Sequence, residues 1–552
     1  MKKLLLFVWI FTAFVLCSEE PVMRVGIVTD THVTRQKKSC RRLKGALEVF
    51  KRHNAELVIN AGDIANDYDV KAYRNYRNTV NSVYPDPNKR PSELFVYANH
   101  DRIKRRKEHY LKVFKDVKRH LEIPNNPLHI QEFKGYQFVV VHQYVSMSAY
   151  QKMLRIAAEK AGDKPFFVID HMPAKDTIYN SSASSDERKQ LLSKYPQAVV
   201  ICGHIHNTLV NELAIWQGEY TSVNAGALFA YRIVLEGVPR KAIAGDMFLL
   251  LEVYKDKLIF RRFSAESGKE YKADSPWCIP LPFNKATAPY RIEARRANEV
   301  VPVFPDDSRI VVKNDGNKVD LHFKSAKNDV LTYRIEFFRK RDGKWQLFSV
   351  MEEAGNGVLP EKMRTANAAV QVNSGLFDPG EQYRVVVTPY GFFGGRGKPI
   401  ETVFSLDSSV KGKVVFESKD PMNELPFLTD LQSGSPVAKD ENGFYCNTSF
   451  NSRLVFPEKV WEGKSGTRFR VTIDMHTIQH GNFAWTVVLR NPVPLANAND
   501  RISTLKGDPG MLRYVIDFVK AKDYFNYYLL IREGGSGKIK FDYVKVEVFN
   551  EK

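Results

Sequence analysis

Five short stretches of this 552-residue chain hold side chains that could do chemistry together. They are Asp30-Thr31-His32 in "VTDTH", Asp63 in "NAGD", Asn99-His100-Asp101 in "YANHD", His171 in "IDHMP", and His204 and His206 in "CGHIH". Each follows an apolar run. Imidazole nitrogens mixed with carboxylate and amide oxygens suit Zn, Mn, Fe or Ni, not Ca or Mg alone. Asp30, His32, Asp63, Asn99, His171, His204 and His206 are too many ligands for one tetrahedral ion and enough for two. In an extended D-x-H or H-x-H, residues i and i+2 point the same way, so one strand end offers two ligands. A lone DxH or GD arises by chance. The ordered set, each member at a strand end, argues against a coincidence of core histidines.

The elements that must position these groups are legible in the periodicity. "RVGIVTD", "ELVINAGD", "ELFVYANHD", "YQFVVVH", "FFVIDH" and "AVVICGH" read as strands. Between them lie amphipathic helices. Residues 39–54 carry Leu43, Leu47 and Phe50 on one face, and Asp69 caps a helix with Val70, Tyr73, Val80 and Val83. Tyr110, Phe114, Val117 and Leu121 mark another. Ser184 and Glu187 form a capping box before the helix that leads to "AVVICGH". Strand and helix in alternation predict a layered α/β fold. In open α/β sheets, ligands bind outside the carboxyl ends of the strands, so the five stretches should converge.

The set resembles the calcineurin-like metallophosphoesterase family over about residues 23–270. The resemblance implies a four-layer αββα fold for residues 22–290. It implies one metal on Asp30, His32 and His206, a second on Asn99, His171 and His204, and Asp63 bridging them. The two ions would be divalent or trivalent: Mn, Fe, Zn or Ni. Such a pair clamps a phosphoryl group and lowers the pKa of water from about 15.7 to roughly 7, giving hydroxide at neutral pH. His100 is the expected general acid, or stabiliser of phosphoryl charge. Asp101 is expected to hold its imidazole in the charged form. One departure from the family pattern is Ala98, where Gly usually precedes Asn-His-Asp.

The expected reaction is hydrolysis of a phosphomonoester or phosphodiester. Purple acid phosphatases carry a metal-binding tyrosine where this chain has Asn66, and lack a histidine at the place of His32, so that branch is set aside. Basic runs follow two motifs, Arg35 to Lys44 and Arg102 to Lys107, and Arg102 is the nearest candidate for binding substrate. Solvated helix starts would look the same. An exported nuclease and a non-catalytic surface-binding protein on the same scaffold are the alternatives. No ligand of the set is missing, which weighs against the second.

The formal charge is +19, but the basic residues are scattered along the chain, which argues against nucleic acid as partner. Lys2 and Lys3 precede the apolar run Leu4 to Leu16, so residues 1–18 read as a signal peptide and the protein as exported. Cys17, after Leu16, makes a poor lipobox and leaves lipidation as the second reading. No later stretch is long and apolar enough to cross a membrane. Beyond about residue 290 the pattern is strands. Residues 298–407 are expected to be a fibronectin type III-like sandwich with Tyr383 as a tyrosine corner. Residues 411–552 are expected to be a galactose-binding-like jelly roll. Trp461, Trp485 and Tyr527 could face a glycan or lie in its core. The expected substrate is a phosphorylated small molecule or a glycan-linked phosphoester.

Overall fold

A computed structural model describes residues 20–66, 69–101, 119, 121, 127–179, 181, 185–233, 241–407, 410–428, 439–446, 452–480, 486–490, 501–503, 509–520, 528–532 and 536–549. The expected signal peptide, Cys17, Arg102 with its basic run, most of the expected helix over 110–121, Ser184, Trp485 and Tyr527 lie outside the described residues.

The first half of the chain alternates as its periodicity predicts: β1 (Met23–Val28), α1 (Arg41–Arg52), β2 (Leu57–Asn60), α2 (Val70–Val83) and β3 (Ser92–Phe95). Then come β4 (His129–Phe133), β5 (Tyr136–Val141), α3 (Met147–Ala161), β6 (Phe166–Asp170), α4 (Asp186–Leu192) and β7 (Ala198–Cys202). After His206 and a short 3-10 turn at Glu212–Ala214, the described residues turn to strands: β8 (Ile215–Gln217), β9 (Thr221–Asn224), β10 (Ala230–Ile233), β11 (Lys241–Ala244), β12 (Met247–Val253), β13 (Lys257–Ser264), β14 (Glu270–Tyr271) and β15 (Trp277–Pro280).

Two sheets result. One has the order β14-β13-β12-β1-β2-β3, with β15 also on β13; the other runs β4-β5-β6-β7-β9-β8. β1, β2 and β3 are parallel, and so are β5, β6, β7 and β9. β2, β5, β6 and β7 are buried on both faces, which is why their sequences are near-continuous apolar runs, whereas β3 at the sheet edge starts with exposed Ser92. Val25, Ile27, Leu57 and Ile59 pack with Phe138, Val140, Phe167, Ile169, Val199 and Ile201 in a core between the sheets. The opposite faces take helices. Val28, Val58 and Leu250 cover Leu43, Leu47 and Phe50 of α1 and Tyr73, Tyr76 and Val80 of α2. Val139, Val168 and Val200 cover Tyr150 and Leu154 of α3 and Leu191 and Leu192 of α4. The layers are therefore αββα.

The helix starts follow from their caps. Asp69 accepts from the Lys71 amide at 2.9 Å, as expected. α4 differs: Ser185, not Ser184, is its N-cap and accepts from the Arg188 amide. The two adjacent serines offer the same chemistry, and only the helix phase decides between them.

Downstream, a three-stranded sheet (Val311–Asn314, Lys318–Lys324, Asn367–Asn373) packs on a four-stranded one. The order in the latter is Lys344–Ala354, Thr332–Arg341, Gln382–Tyr390, Ile400–Ser405. Asp342 and Gly343, at the tip of the first hairpin, have φ of 49° and 75°, the left-handed pair a two-residue turn needs. The Tyr383 hydroxyl accepts from the Asp378 amide at 2.7 Å and donates to its carbonyl at 3.3 Å. Between residues 413 and 549 two further sheets of five strands each enclose a third core. Trp461 is fully buried there, edge-on to Phe456 and Phe469, so it offers no face to a glycan.

Candidate metal centre

The carboxyl ends of β1, β2, β6 and β7 and the segment after β3 meet at one end of the sheet pair. Asp30 Oδ1 lies 3.1 Å from His206 Nε2 and 3.7 Å from His32 Nε2. Asp63 Oδ2 lies 3.7 Å from His32 Nε2 and 3.3 Å from His171 Nε2. The imidazoles of His32 and His206 approach to 3.3 Å between their Nε2 atoms. Ligand atoms thus gather into two groups, Asp30-His32-Asp63-His206 and Asp63-His171-His204, each within 4.8 Å. Asp63 belongs to both.

These groups fit metal ions. Asp30 Oδ1, Asn99 Oδ1 and His171 Nε2 are buried and make no hydrogen bond. Buried polar atoms without partners are costly, and a cation would satisfy all three. Burial alone would raise the Asp30 carboxyl, but His206, His32 and His171 outweigh it and hold it well below its usual range. Asp63 likewise falls to about 2, against its burial, chiefly through His171. Burial pushes His171 down, yet Asp63 and Asp30 lift it to about 10, so without a metal it carries the positive charge the carboxylates require. Burial and then His171 hold His204 down to about 4, which leaves a neutral imidazole with a lone pair to give.

Local backbone sets the aim. Asp30, His32, Asp63, His204 and His206 all have left-handed φ, between 42° and 70°. Each such residue costs on the order of 1–2 kcal/mol. They are therefore turn residues past the strand ends. Extended i, i+2 geometry is not what aims them; the left-handed turns bring Asp30 and His32 into the first group and send His206 to that group and His204 to the second. Distant carbonyls orient the rings. Ala230 O binds His206 Nδ1 at 2.6 Å and Ala61 O binds His171 Nδ1 at 2.8 Å. A carbonyl only accepts, so Nδ1 carries a proton, and in the neutral ring Nε2 is left free to ligate.

Two glycines make room. A Cβ on Gly203 would overlap Thr29 Oγ1 and stand 2.6 Å from Asp30 Oδ2. A Cβ on Gly62, whose φ is 106°, would stand 2.5 Å from His171 Nδ1 and 2.9 Å from the Ala98 methyl. Ala98 itself lies outside the left-handed region, so its methyl group is accommodated.

His100 sits beside this cluster, its ring 4.7 Å from that of His32 and nearly perpendicular to it. Its backbone amide donates to Asp63 Oδ1 at 3.0 Å. Its Nδ1 bonds the Asn66 carbonyl at 2.6 Å. Asp101 does not hold this imidazole. Its carboxylate accepts from the amides of Ile64, Ala65 and Ala98 and from the Tyr73 hydroxyl, at 3.1–3.3 Å. It is a buried loop tie, raised to about 7 by burial and by Asp63. Tight loop packing turned it inward, and the neighbouring backbone donors claimed it.

Sequence reasoning missed the segment 228–232. Its backbone binds both ends of the first ligand group, through Phe229 N to Asp30 O and Arg232 N to His206 O, both at 3.0 Å. Arg232 is near enough to help depress His204. Nothing in the local sequence marks these residues, because their role comes from pairing with strand ends far away in the chain.

Residues 23–237 match the family model for the calcineurin-like phosphoesterase superfamily domain. This part of the chain is a calcineurin-like metallophosphoesterase domain, which supports a hydrolase of phosphoesters. No curated protein matches the chain. Among solved structures, a dimetal phosphatase from Danio rerio is 11% identical, over 45% of this chain and 97% of its own, with a TM-score of 0.30. Purple acid phosphatase from yellow lupin seeds is 13% identical over 47% and 53%, with a TM-score of 0.32. An exo-β-1,3-galactanase from Phanerochaete chrysosporium is 10% identical over 54% and 65%, with a TM-score of 0.20.

Proposed function

We propose that residues 22–290 hydrolyse a phosphomonoester or phosphodiester at a two-metal centre. The observation that carries this is Asp63, whose carboxylate belongs to both groups of ligand atoms. Asp30, His32, Asp63 and His206 would hold one cation, and Asp63, Asn99, His171 and His204 the other. The cations would neutralise phosphoryl oxygens and activate water. His206 and His171 present Nε2 because carbonyls hold their Nδ1 atoms. His100 has Nδ1 committed to the Asn66 carbonyl, so its Nε2 is the atom that would give a proton to the leaving oxygen or bind a phosphoryl oxygen. Arg232 adds positive charge on the side of His204.

Residues 1–18 would direct export, with lipidation at Cys17 as the alternative. Residues 298–407 would be a fibronectin type III-like spacer, a reading supported by the three-plus-four strand order and the Tyr383 corner. Residues 411–552 would be a galactose-binding-like module, supported by two five-stranded sheets. The substrate would be a phosphorylated small molecule or a phosphoester linked to a glycan.

The test is elemental analysis of the purified full chain, together with turnover on phosphomonoesters, phosphodiesters, nucleotides and DNA. Two equivalents of a transition metal and hydrolysis of at least one ester class are expected. A chain that binds no metal under any loading condition would sink the proposal.

A further inference from the structure

We propose that Phe229 selects the organic part of the substrate, acting as a platform for a flat conjugated ring on the phosphoester. This rests on the phosphoesterase reading above. Between residues 20 and 290, only two large apolar side chains among the described residues are exposed: Phe229 at 44% and Tyr144 at 37%. Both are aromatic. Tyr144 lies three residues past the end of β5, and Phe229 lies against the centre itself. Its ring centroid is 5.0 Å from that of His32, at a tilt of 47°.

The ring is not on a loose loop. Leu228 N donates to Thr29 O at 3.3 Å, and Phe229 N to Asp30 O at 3.0 Å. The Phe229 carbonyl accepts from Gly245 N at 3.1 Å and from Arg42 Nη1 at 3.0 Å. Ala230 and Arg232 are in turn bonded to His206. The backbone on either side of Phe229 is thus tied to the two segments that carry Asp30 and His206, so the ring is set in register with the ligands. A single exposed phenyl group is ordinary on a protein surface; what sets this one apart is its place against His32, with its backbone tied to the Asp30 segment. A phosphoryl group bound at the centre would bring its ester substituent over this ring. Stacking on a flat partner would cover the apolar surface and use the electron-rich ring face.

The test uses two phosphonates, which have no ester bond to cleave. Binding of phenylphosphonate and methylphosphonate to the metal-loaded full chain is measured by calorimetry. The wild type should prefer the phenyl compound by about tenfold, the size of one stacking contact. Phe229→Leu keeps apolar bulk beside His32 without a flat ring. It should bind methylphosphonate within about twofold of wild type, retain its metal and lose most of the preference; Phe229→Trp should keep it. Equal affinity for the two compounds in the wild type overturns the proposal. So does a Phe229→Leu variant that keeps the preference, or one that loses both ligands in parallel. A protein that shows the preference but cleaves no ester separates the two claims: the platform stands and the hydrolase reading falls.

Discussion

His206 Nε2 stands 3.1 Å from Oδ1 of Asp30, and both residues have left-handed backbones, with φ of 53° and 47°. Asp30 follows β1 of one sheet and His206 follows β7 of the other. Their meeting closes the end of the sheet pair into a pocket of ligands. Removing either side chain should release one cation and leave the rest of the cluster in place. Asp30→Ala is expected to lower metal affinity at that site by at least about 100-fold, since even partners behind a ligand are worth 10–100-fold. Metal content after dialysis, by elemental analysis, measures it. Two equivalents retained would show that Asp30 is not a ligand.

His100→Ala should separate chemistry from metal binding. His100 touches Asp63 only through its backbone amide, and the side chain reaches the Asn66 carbonyl. The variant should keep its metal and lose about 10²–10⁴ in kcat, the usual worth of a general acid. The loss should shrink for esters whose leaving group needs no proton, such as 4-nitrophenyl. Unchanged turnover on alkyl esters would remove His100 from the mechanism.

Gly203→Ala tests how closely the ligands are packed. The new methyl group would meet Thr29 Oγ1 and Asp30 Oδ2. The His204 amide also donates to that carboxylate oxygen at 3.0 Å. Overpacking of this kind costs about 1–3 kcal/mol, and here it falls on a ligand. Both melting temperature and metal affinity should drop together. A variant with wild-type metal affinity would mean that Asp30 can move aside freely.

Glu212 makes a prediction about acid. It accepts from Arg262 at 2.9 Å, Lys272 at 3.2 Å, Arg295 at 2.8 Å and the Trp277 indole at 3.1 Å. Arg295 belongs to the short helix Ile292–Ala297, and Lys272 also reaches Asp329, so the cluster ties the first half of the chain to the segments around Arg295 and Asp329. Burial would raise the carboxyl, but Arg262 and Lys272, then Arg295, bring it from 4.5 down to about 2. Its folded pKa lies below the unfolded one. Its stabilisation is therefore full above about pH 4.5 and is lost as pH falls towards 2. Glu212→Gln should lower stability at pH 7 by about 3 kcal/mol, as for a broken buried ion pair. Thermal melts across this pH range should show a flatter acid limb for the variant than for the wild type. Parallel limbs would mean that Glu212 is not the group responsible.

Much of the site was legible because its parts are local. A buried strand must be apolar throughout, and the polar residues that follow it stand out at once, as in "VVICGHIH". Parallel strands put those ends on one side, so chain order alone predicted that Asp30, Asp63, His171, His204 and His206 would meet. What tertiary structure decided is everything supplied across the chain. The carbonyls of Ala61 and Ala230 aim the imidazoles, and every residue has a carbonyl, so no motif can mark them. Asp101 looked like a partner for His100, but three backbone amides and the Tyr73 hydroxyl claimed it, because amides freed by tight turns compete for any buried carboxylate. Nothing in the local sequence sets Phe229 apart; only the pairing of its backbone with Asp30 leaves its ring beside His32. Spacing along a strand reveals which groups can be ligands, whereas the hydrogen-bond partners that orient and surround them depend on contacts between residues far apart in sequence.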